Sequence, residues 1–284
     1  MARGIGNRNC HDKSPAGSVR QLFVGALMLL EIGSHIRIVQ ALVIRDLMVR
    51  FGRRHLGFVW AVVEPMMLTA GIMIVWSLLK QPVIHGISVV LFVFSGYLPL
   101  TLWRHMTNAS LRLFQKNVGL LFHRPIGLGD ILVARLVLEF LSSTMALLVI
   151  YFIVVATGVA ELPAAPSLLI GGWLFMAWFA GSAAVLMVTW TEYWEPAEKF
   201  FQPAQYLMLP VSGVFFMVDW LPTDGGRLAL LNPMVHCFEL FRAGVFGEAV
   251  VTHYDVWYLA AWCMGLTIAG CAAMTRIRDH VQIN

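Results

Sequence analysis

The sequence predicts an all-α integral membrane protein with six transmembrane helices. Hydrophobic residues make up 59% of its 284 residues and charged residues only 13%, which leaves too few charges to cover a soluble globule with polar surface. Apolar runs long enough to cross a bilayer also recur along the chain. We predict membrane spans at residues 56–79, 87–106, 131–157, 167–190, 201–218 and 254–274.

The basic residues predict how these spans are oriented. Six spans put both termini on one side, and sixteen of the twenty Lys and Arg residues fall on that side. Lys80, Arg227 and Arg242 fall on the other side, and Arg135 lies near a span end. Because cytoplasmic loops carry the excess of Lys and Arg, we expect both termini in the cytoplasm. This topology accounts for the net charge of +4 without a nucleic-acid-binding face.

Two segments precede the first span. Residues 1–33 are expected to form a polar cytoplasmic tail with a short apolar stretch, which imitates a signal peptide but lacks an A-x-A-like cleavage site. We expect an interfacial helix there, with a cleaved signal peptide as the alternative. The pattern of apolar and charged residues at 34–55 predicts an amphipathic helix along the inner membrane surface. Its apolar side is predicted to hold Val43, Ile44, Leu47, Met48 and Phe51, opposite Arg45, Asp46 and Arg50.

We single out three ionisable residues within the predicted spans. Glu64 lies about 12 Å into the first span at helical rise, next to the helix-kinking Pro65. A carboxylate at that depth is a candidate for substrate contact or gating, and a packing contact with another span or a second copy is the alternative. Arg135 and Glu139 are four residues apart, so they share one face of the third span and are expected to form a structural ion pair.

The connection before the last span, at residues 219–253, is long and partly apolar. Its apolar stretches are separated by Asn232 and Pro233, which predicts two short helices broken by the proline. Helices this short cannot span a bilayer, so we expect periplasmic re-entrant helices. His236 and Glu239 lie three residues apart, but two ligands are too few for a zinc site.

Three stretches carry a resemblance to a known family. R-D-L-x-x-R-F followed by L-G-x-x-W-A-x-x-E-P runs from Arg45 to Pro65 at the first span. H-R-P stands at residues 123–125 before the third span, and N-P-x-x-H-x-x-E-x-x-R begins at Asn232. Together these motifs resemble the membrane subunits of ABC-2 exporters of capsular polysaccharide. The resemblance covers most of the chain from about residue 34 onward.

The resemblance implies a transport subunit and not an enzyme. It implies an ABC-2 transmembrane domain at 56–274, followed by a cytoplasmic tail at 275–284, in a homodimer of the bacterial inner membrane. The expected substrate is a polysaccharide or glycolipid that passes to a periplasmic export partner. The sequence has no G-x-x-x-x-G-K-[ST] motif, so no cofactor is expected in this chain, and ATP and Mg are expected on a separate ATPase subunit.

Other functions remain as alternatives at this point. An O-antigen or teichoic-acid exporter would have the same architecture. A membrane-embedded enzyme is a remote alternative, because the predicted spans offer few groups for a poised nucleophile, base or metal. A passive channel is disfavoured, because the spans hold no ring of charges.

Particular residues are expected to carry the transport roles. The residues expected to couple to the ATPase are Arg45, Asp46, Arg50, Lys116, Leu121, Phe122 and Arg124. The residues expected to form the periplasmic gate are Asn232, Pro233, His236, Glu239 and Arg242. Aromatic rings pack against the apolar faces of sugars, and the candidates for a glycan path are Trp60, Phe94, Tyr97, Trp103, Phe215 and Phe216. Core packing or an interfacial belt is the alternative role for each ring.

Overall fold

A computed structural model of the protein describes residues 33–49, 56–79, 83–84, 86–121, 126–194 and 196–281. Of the predicted coupling residues, Arg50, Phe122 and Arg124 lie outside the described residues. The described part of the chain is helical apart from one β-hairpin, whose two strands have two residues each, and the connecting loops. The predicted all-α class is therefore confirmed.

Two helices and a short hairpin come first in the described chain. Helix α1 covers residues 33–49, and α2 covers Leu56–Leu79, a length of about 36 Å. Strands β1 (Val83–Ile84) and β2 (Ile87–Ser88) pair as an antiparallel hairpin, which leads directly into α3, Val89–Ser110.

Two long helices follow a short helical corner. The corner consists of α4, Leu113–Lys116, and α5, Val118–Leu121. Helix α6 covers Leu128–Ala156, and its first turn is capped by Asp130, whose carboxylate accepts the Gly127 N–H at 2.9 Å. Helix α7 covers Pro166–Tyr193, with proline at its first position.

The rest of the chain differs from the sequence prediction in one element. The fifth predicted span, residues 201–218, is not one helix. Helix α8 covers Ala197–Met208 and continues as a 3₁₀ turn, Leu209–Val211. Pro203 and Pro210 weaken the α-helical ladder there, and Gly213 has a φ of +93°, which turns the backbone out of the helix.

Two short helices then precede the last long one, as predicted. A 3₁₀ turn, Val218–Trp220, leads to α9, Thr223–Ala229, and α10 follows at Pro233–Phe246. A 3₁₀ turn at Gly247–Ala249 separates α10 from the last helix. That helix, α11, covers Val256–Val281, so most of the predicted C-terminal tail is helical.

Four helices in the described part of the chain are long and apolar enough to cross a membrane. They are α3, α6, α7 and the Val256–Ile277 part of α11. Each coincides with a predicted span and differs from it by a few residues at the ends. By length and composition, these helices are consistent with an integral membrane protein.

Helix α7 is the centre of the packing, and α10 lies directly against it. A Cβ atom added to Gly172 would lie 2.5 Å from the Phe241 nitrogen, and one added to Gly244 would lie 2.1 Å from the Leu169 nitrogen. The two backbones therefore approach more closely than any side chain would allow. The Ala165 N–H also donates to the Gly244 carbonyl at 3.1 Å. This contact holds α10 firmly against the first half of α7.

Candidate functional site

Polar residues on α1 connect to α6 and to the α4–α5 corner. Arg45 donates to Asp46 and, over 2.8 Å, to the side-chain oxygen of Asn117. An Arg135 nitrogen lies 4.0 Å from the Asp46 carboxylate, and another lies 3.1 Å from that of Glu139. The predicted pair between Arg135 and Glu139 is thus formed. We call these five residues the inner polar network.

One side of α1 packs on the protein, and part of its apolar side is left exposed. Leu42 is buried against a cluster that includes Leu113 and Ile131, with Val43 at its edge. Ile44 and Met48, on the predicted apolar side, are 53% and 60% exposed. The reason is that α4 and α6 cover only a narrow strip of the helix. The predicted contact of the remaining apolar side chains with the membrane surface stays a prediction.

The residue that precedes the α4–α5 corner connects it to α8. Arg112 adopts a left-handed conformation with φ of +51°, which favours glycine in most settings. Its guanidinium donates to Gln115 at 2.6 Å and lies 3.5 Å from the Glu198 carboxylate on α8. Lys116 and Val118 are exposed on the corner. The corner thus offers a charged and an apolar side chain to a partner.

A polar cavity of about 370 Å³ lies between α2, α3 and α6. It brings together Glu64, Arg135 and Glu139, the three residues singled out within the predicted spans, and the rest of its lining is Thr101, Arg104, His105, Asn108 and Ala109. The His105 ring lies 3.9 Å from the Glu139 carboxylate. The sequence reasoning did not single out the four polar residues of α3. Their spacing of three and four residues in an otherwise apolar helix was the available signal.

On the other side of the molecule, His236 joins two connections. Its Nδ1 accepts the Asp255 N–H at 2.9 Å, so the proton is on Nε2, which donates to the Leu230 carbonyl at 2.8 Å. Asn232 accepts the Met234 N–H at 3.0 Å and caps α10. These bonds fix where the chain enters and leaves α10.

Glu239 is the second residue of α10 that binds neighbouring backbone. Its carboxylate accepts the N–H groups of Val218 at 3.2 Å and His253 at 2.9 Å. Burial raises the pKa of the Glu239 carboxyl, whereas both backbone bonds and the nearby Arg242 lower it. The side chain therefore links the segment before α9 to the segment after α10.

Arg242, also on α10, is fully buried. Its guanidinium donates to the carbonyls of Gly213 at 2.8 Å, Val214 at 2.8 Å and Phe216 at 2.6 Å. It also lies over the Phe92 ring, 4.6 Å from the centroid. Burial lowers the pKa of Arg242 to about 10, so it is charged at neutral pH. We call His236, Glu239 and Arg242 the outer clamp.

The predicted glycan-path aromatics separate into two groups. Phe94 and Trp103 are buried in the core, where Trp103 stacks on Phe179 at 5.1 Å. Phe215 is partly exposed, lies parallel to Trp76 at 6.4 Å and meets Tyr97 edge-on at 6.1 Å. Phe216 is half-buried and contributes its carbonyl to the outer clamp. The side chain of Trp60, like that of the coupling candidate Leu121, lies outside the described residues.

Comparison with known proteins decides the family. The family model for the ABC-2 type transporter matches residues 37–246. This chain belongs to the ABC-2 type transporter family. The matched region contains the inner polar network, the polar cavity and the outer clamp. The three motifs found in the sequence also fall within it.

Relatives of this ABC-2 type transporter cover nearly its whole length. The capsule polysaccharide export inner-membrane protein CtrC of Neisseria meningitidis is 33% identical over 246 residues, which is 87% of this chain and 93% of CtrC. BexB of Haemophilus influenzae, which has the same description, is 29% identical over the same shares. The polysialic acid transport protein KpsM of Escherichia coli is 25% identical over 86% of this chain and 95% of KpsM.

Proposed function

We propose that this chain is the membrane-spanning permease subunit of an ATP-driven transporter. It exports capsular polysaccharide, as a lipid-linked glycan, from the cytoplasm to the periplasm. The observation that carries the proposal is the match to CtrC, a capsule polysaccharide export protein, at 33% identity over 87% of this chain and 93% of CtrC. The all-helical fold with span-length helices supports it, because a permease needs a membrane-crossing body.

The proposed topology has six crossings and two cytoplasmic termini in the bacterial inner membrane. In this topology α2 and the segment at 201–218, which includes most of α8 and the 3₁₀ turn after it, add two crossings to the four long apolar helices, within a transmembrane domain at 56–274. Helices α9 and α10 are re-entrant from the periplasm. The excess of basic residues on the side of the termini supports this orientation. A reporter fused near residue 235 should be active in the periplasm, and cytoplasmic activity there would refute the topology.

The energy source is proposed to be a separate ATPase subunit that binds ATP and Mg. The docking surface is made of α1 and the α4–α5 corner, where Lys116 and Val118 are exposed. The inner polar network supports this assignment, because Arg45 binds Asn117 on the corner and Asp46 approaches Arg135 on α6. A movement of the corner is thus passed to a long helix that lines the polar cavity. Two copies of the chain and a periplasmic export partner complete the proposed assembly.

Deleting the gene in an encapsulated host tests the proposal. The expected result is loss of capsule from the cell surface, accumulation of the glycan inside the cell, and recovery of surface capsule when the wild-type gene is restored. Loss of O-antigen or teichoic acid with the capsule intact would favour the alternative exporter. Unchanged surface glycans would refute the proposed function.

A further inference from the structure

A polar stripe runs along one face of α3. Thr101, Arg104, His105 and Asn108 follow the spacing of one helical face, and all four line the polar cavity. Polar side chains inside membrane spans face a bundle interior or a water-filled cavity and mark substrate pathways. In the proposed topology this half of α3 is the cytoplasmic half. The cavity therefore lies where a substrate would first enter from the inside.

The charges that line the cavity have both signs. Arg135 lies 3.1 Å from the Glu139 carboxylate, and His105 lies 3.9 Å from it. A small anion in this cavity would meet Glu64 and Glu139, and a small cation would meet two guanidinium groups. Hydrogen-bond donors and acceptors within one small volume suit a ligand with several hydroxyl groups, each of which donates and accepts.

Asn108 gives this ligand a specific contact. Its side-chain oxygen is buried, and it has no hydrogen-bond partner among the described residues. Buried acceptors are almost always satisfied, so a ligand hydroxyl that donates to this oxygen would complete the site.

Arg104 adds a donor of fixed orientation. Its guanidinium lies 4.8 Å from the centre of the Tyr206 ring and donates to the Tyr206 hydroxyl at 3.0 Å. The Tyr206 ring is 56% exposed, and it provides an aromatic surface beside the cavity. Charged donors next to an aromatic ring form the type of surface to which a sugar ring presents hydroxyls and an apolar face.

We propose that the cavity binds a single pyranose residue of the exported polymer. Asn108 accepts from one hydroxyl, and Arg104 and Glu64 contact others. The volume of about 370 Å³ lies within the range of roughly 300–1,000 Å³ for ligand pockets. This inference rests on the proposed function, because it identifies where the exported glycan first binds.

Two variants of the cavity and one control test the site. Ala109→Phe fills the cavity without removing a charge, and Asn108→Leu removes the unpaired oxygen. Ala272→Phe makes the same change at an exposed position of α11 that is not part of the cavity lining. The probe is a tetrasaccharide released from the host's capsule and labelled at its reducing end. It is titrated into the complete permease–ATPase complex in lipid nanodiscs.

We expect Ala109→Phe to weaken binding at least about tenfold and Asn108→Leu at least about threefold, while Ala272→Phe binds like the wild type. Co-purification of the ATPase shows that each variant is assembled, and a variant that fails to assemble leaves the other to decide. Wild-type affinity in an assembled variant, or displacement of the probe by inorganic phosphate, would overturn the proposal. The same variants are tested in the gene-deletion host described above. If the Ala109→Phe gene restores surface capsule as the wild-type gene does, the proposed sugar site is wrong and the proposed function stands. If the wild-type chain restores none, the proposed function itself is wrong.

Discussion

An Arg242 nitrogen donates a 2.6 Å hydrogen bond to the carbonyl oxygen of Phe216, which lies 26 residues earlier in the chain. The same guanidinium holds the carbonyls of Gly213 and Val214. Because α10 is itself fixed to α7 through Gly172 and Gly244, these bonds join the connection after α8 to a rigid part of the molecule.

The first prediction concerns the loss of this guanidinium. Arg242→Leu leaves buried carbonyl groups without donors, and each unsatisfied group costs about 1–3 kcal/mol. We expect a lower melting temperature of the purified protein and faster tryptic cleavage after the exposed Arg227. Arg276→Leu, at an exposed position of α11, should change neither measurement. If Arg242→Leu and the wild type have the same melting temperature and the same rate of tryptic cleavage, the hydrogen bonds of Arg242 do not stabilise this segment.

The second prediction concerns the contact between α7 and α10. The added methyl group of Gly244→Ala would lie 2.1 Å from the Leu169 nitrogen, so the two helices must separate. We expect a loss of about 1–3 kcal/mol in stability, measured by thermal unfolding in detergent. Gly265→Ala is the control, because nothing lies within 4 Å of the added atom and alanine favours the helix. A Gly244→Ala protein as stable as the Gly265→Ala protein would contradict the close packing.

The third prediction concerns the proposed periplasmic gate. Cys237 is fully buried and unsuitable for cross-linking, but Leu228 and Leu231 are 69% and 66% exposed. A cysteine is introduced at either position and cross-linked between two copies of the chain. We expect export to stop, because the segment held by the outer clamp can no longer move, and to resume when a reductant is added. A cysteine at Leu162, which is also exposed, is the control for the reagent and should leave export unchanged. Export that continues after complete cross-linking at Leu228 or Leu231 would argue against a gate in this segment.

The fourth prediction concerns the docking of the ATPase. Val118 on α5 is 48% exposed. In the docked complex, an aspartate at this position would place a charge in the apolar contact with the ATPase. We expect Val118→Asp to abolish co-purification of the ATPase and surface capsule, while membrane insertion is preserved. Val159→Asp is the matched control, because Val159 is 43% exposed and lies in the connection between α6 and α7, on the opposite side in the proposed topology. Co-purification of the ATPase at the wild-type level with Val118→Asp would place the docking site elsewhere.

The sequence was sufficient for the features that depend on local composition. Hydropathy predicted the long helices to within a few residues at most ends, and Asn232 with Pro233 predicted the start of α10. The fifth span was predicted too long, because hydropathy does not register the combined effect of Pro203, Pro210 and Gly213 on the backbone.

The roles of the site residues depend on contacts between distant segments, which the sequence does not show. The three carbonyl groups that Arg242 binds lie 26 to 29 residues earlier in the chain, and backbone carbonyls carry no sequence signal. Similarly, an aromatic residue such as Phe94 suits the core as well as a glycan path, and only its neighbours in the fold distinguish the two roles. The exposed side of α1 also depends on how much of it α4 and α6 cover.

Transport by purified components tests the central claim most directly. The chain and its ATPase are reconstituted together in liposomes, and lipid-linked capsular glycan is supplied on the face where the ATPase is bound. The proposed function predicts that the glycan becomes protected from an added glycan hydrolase only when ATP and both subunits are present. Protection without ATP, or conversion of the glycolipid by this chain alone, would contradict an ATP-driven permease.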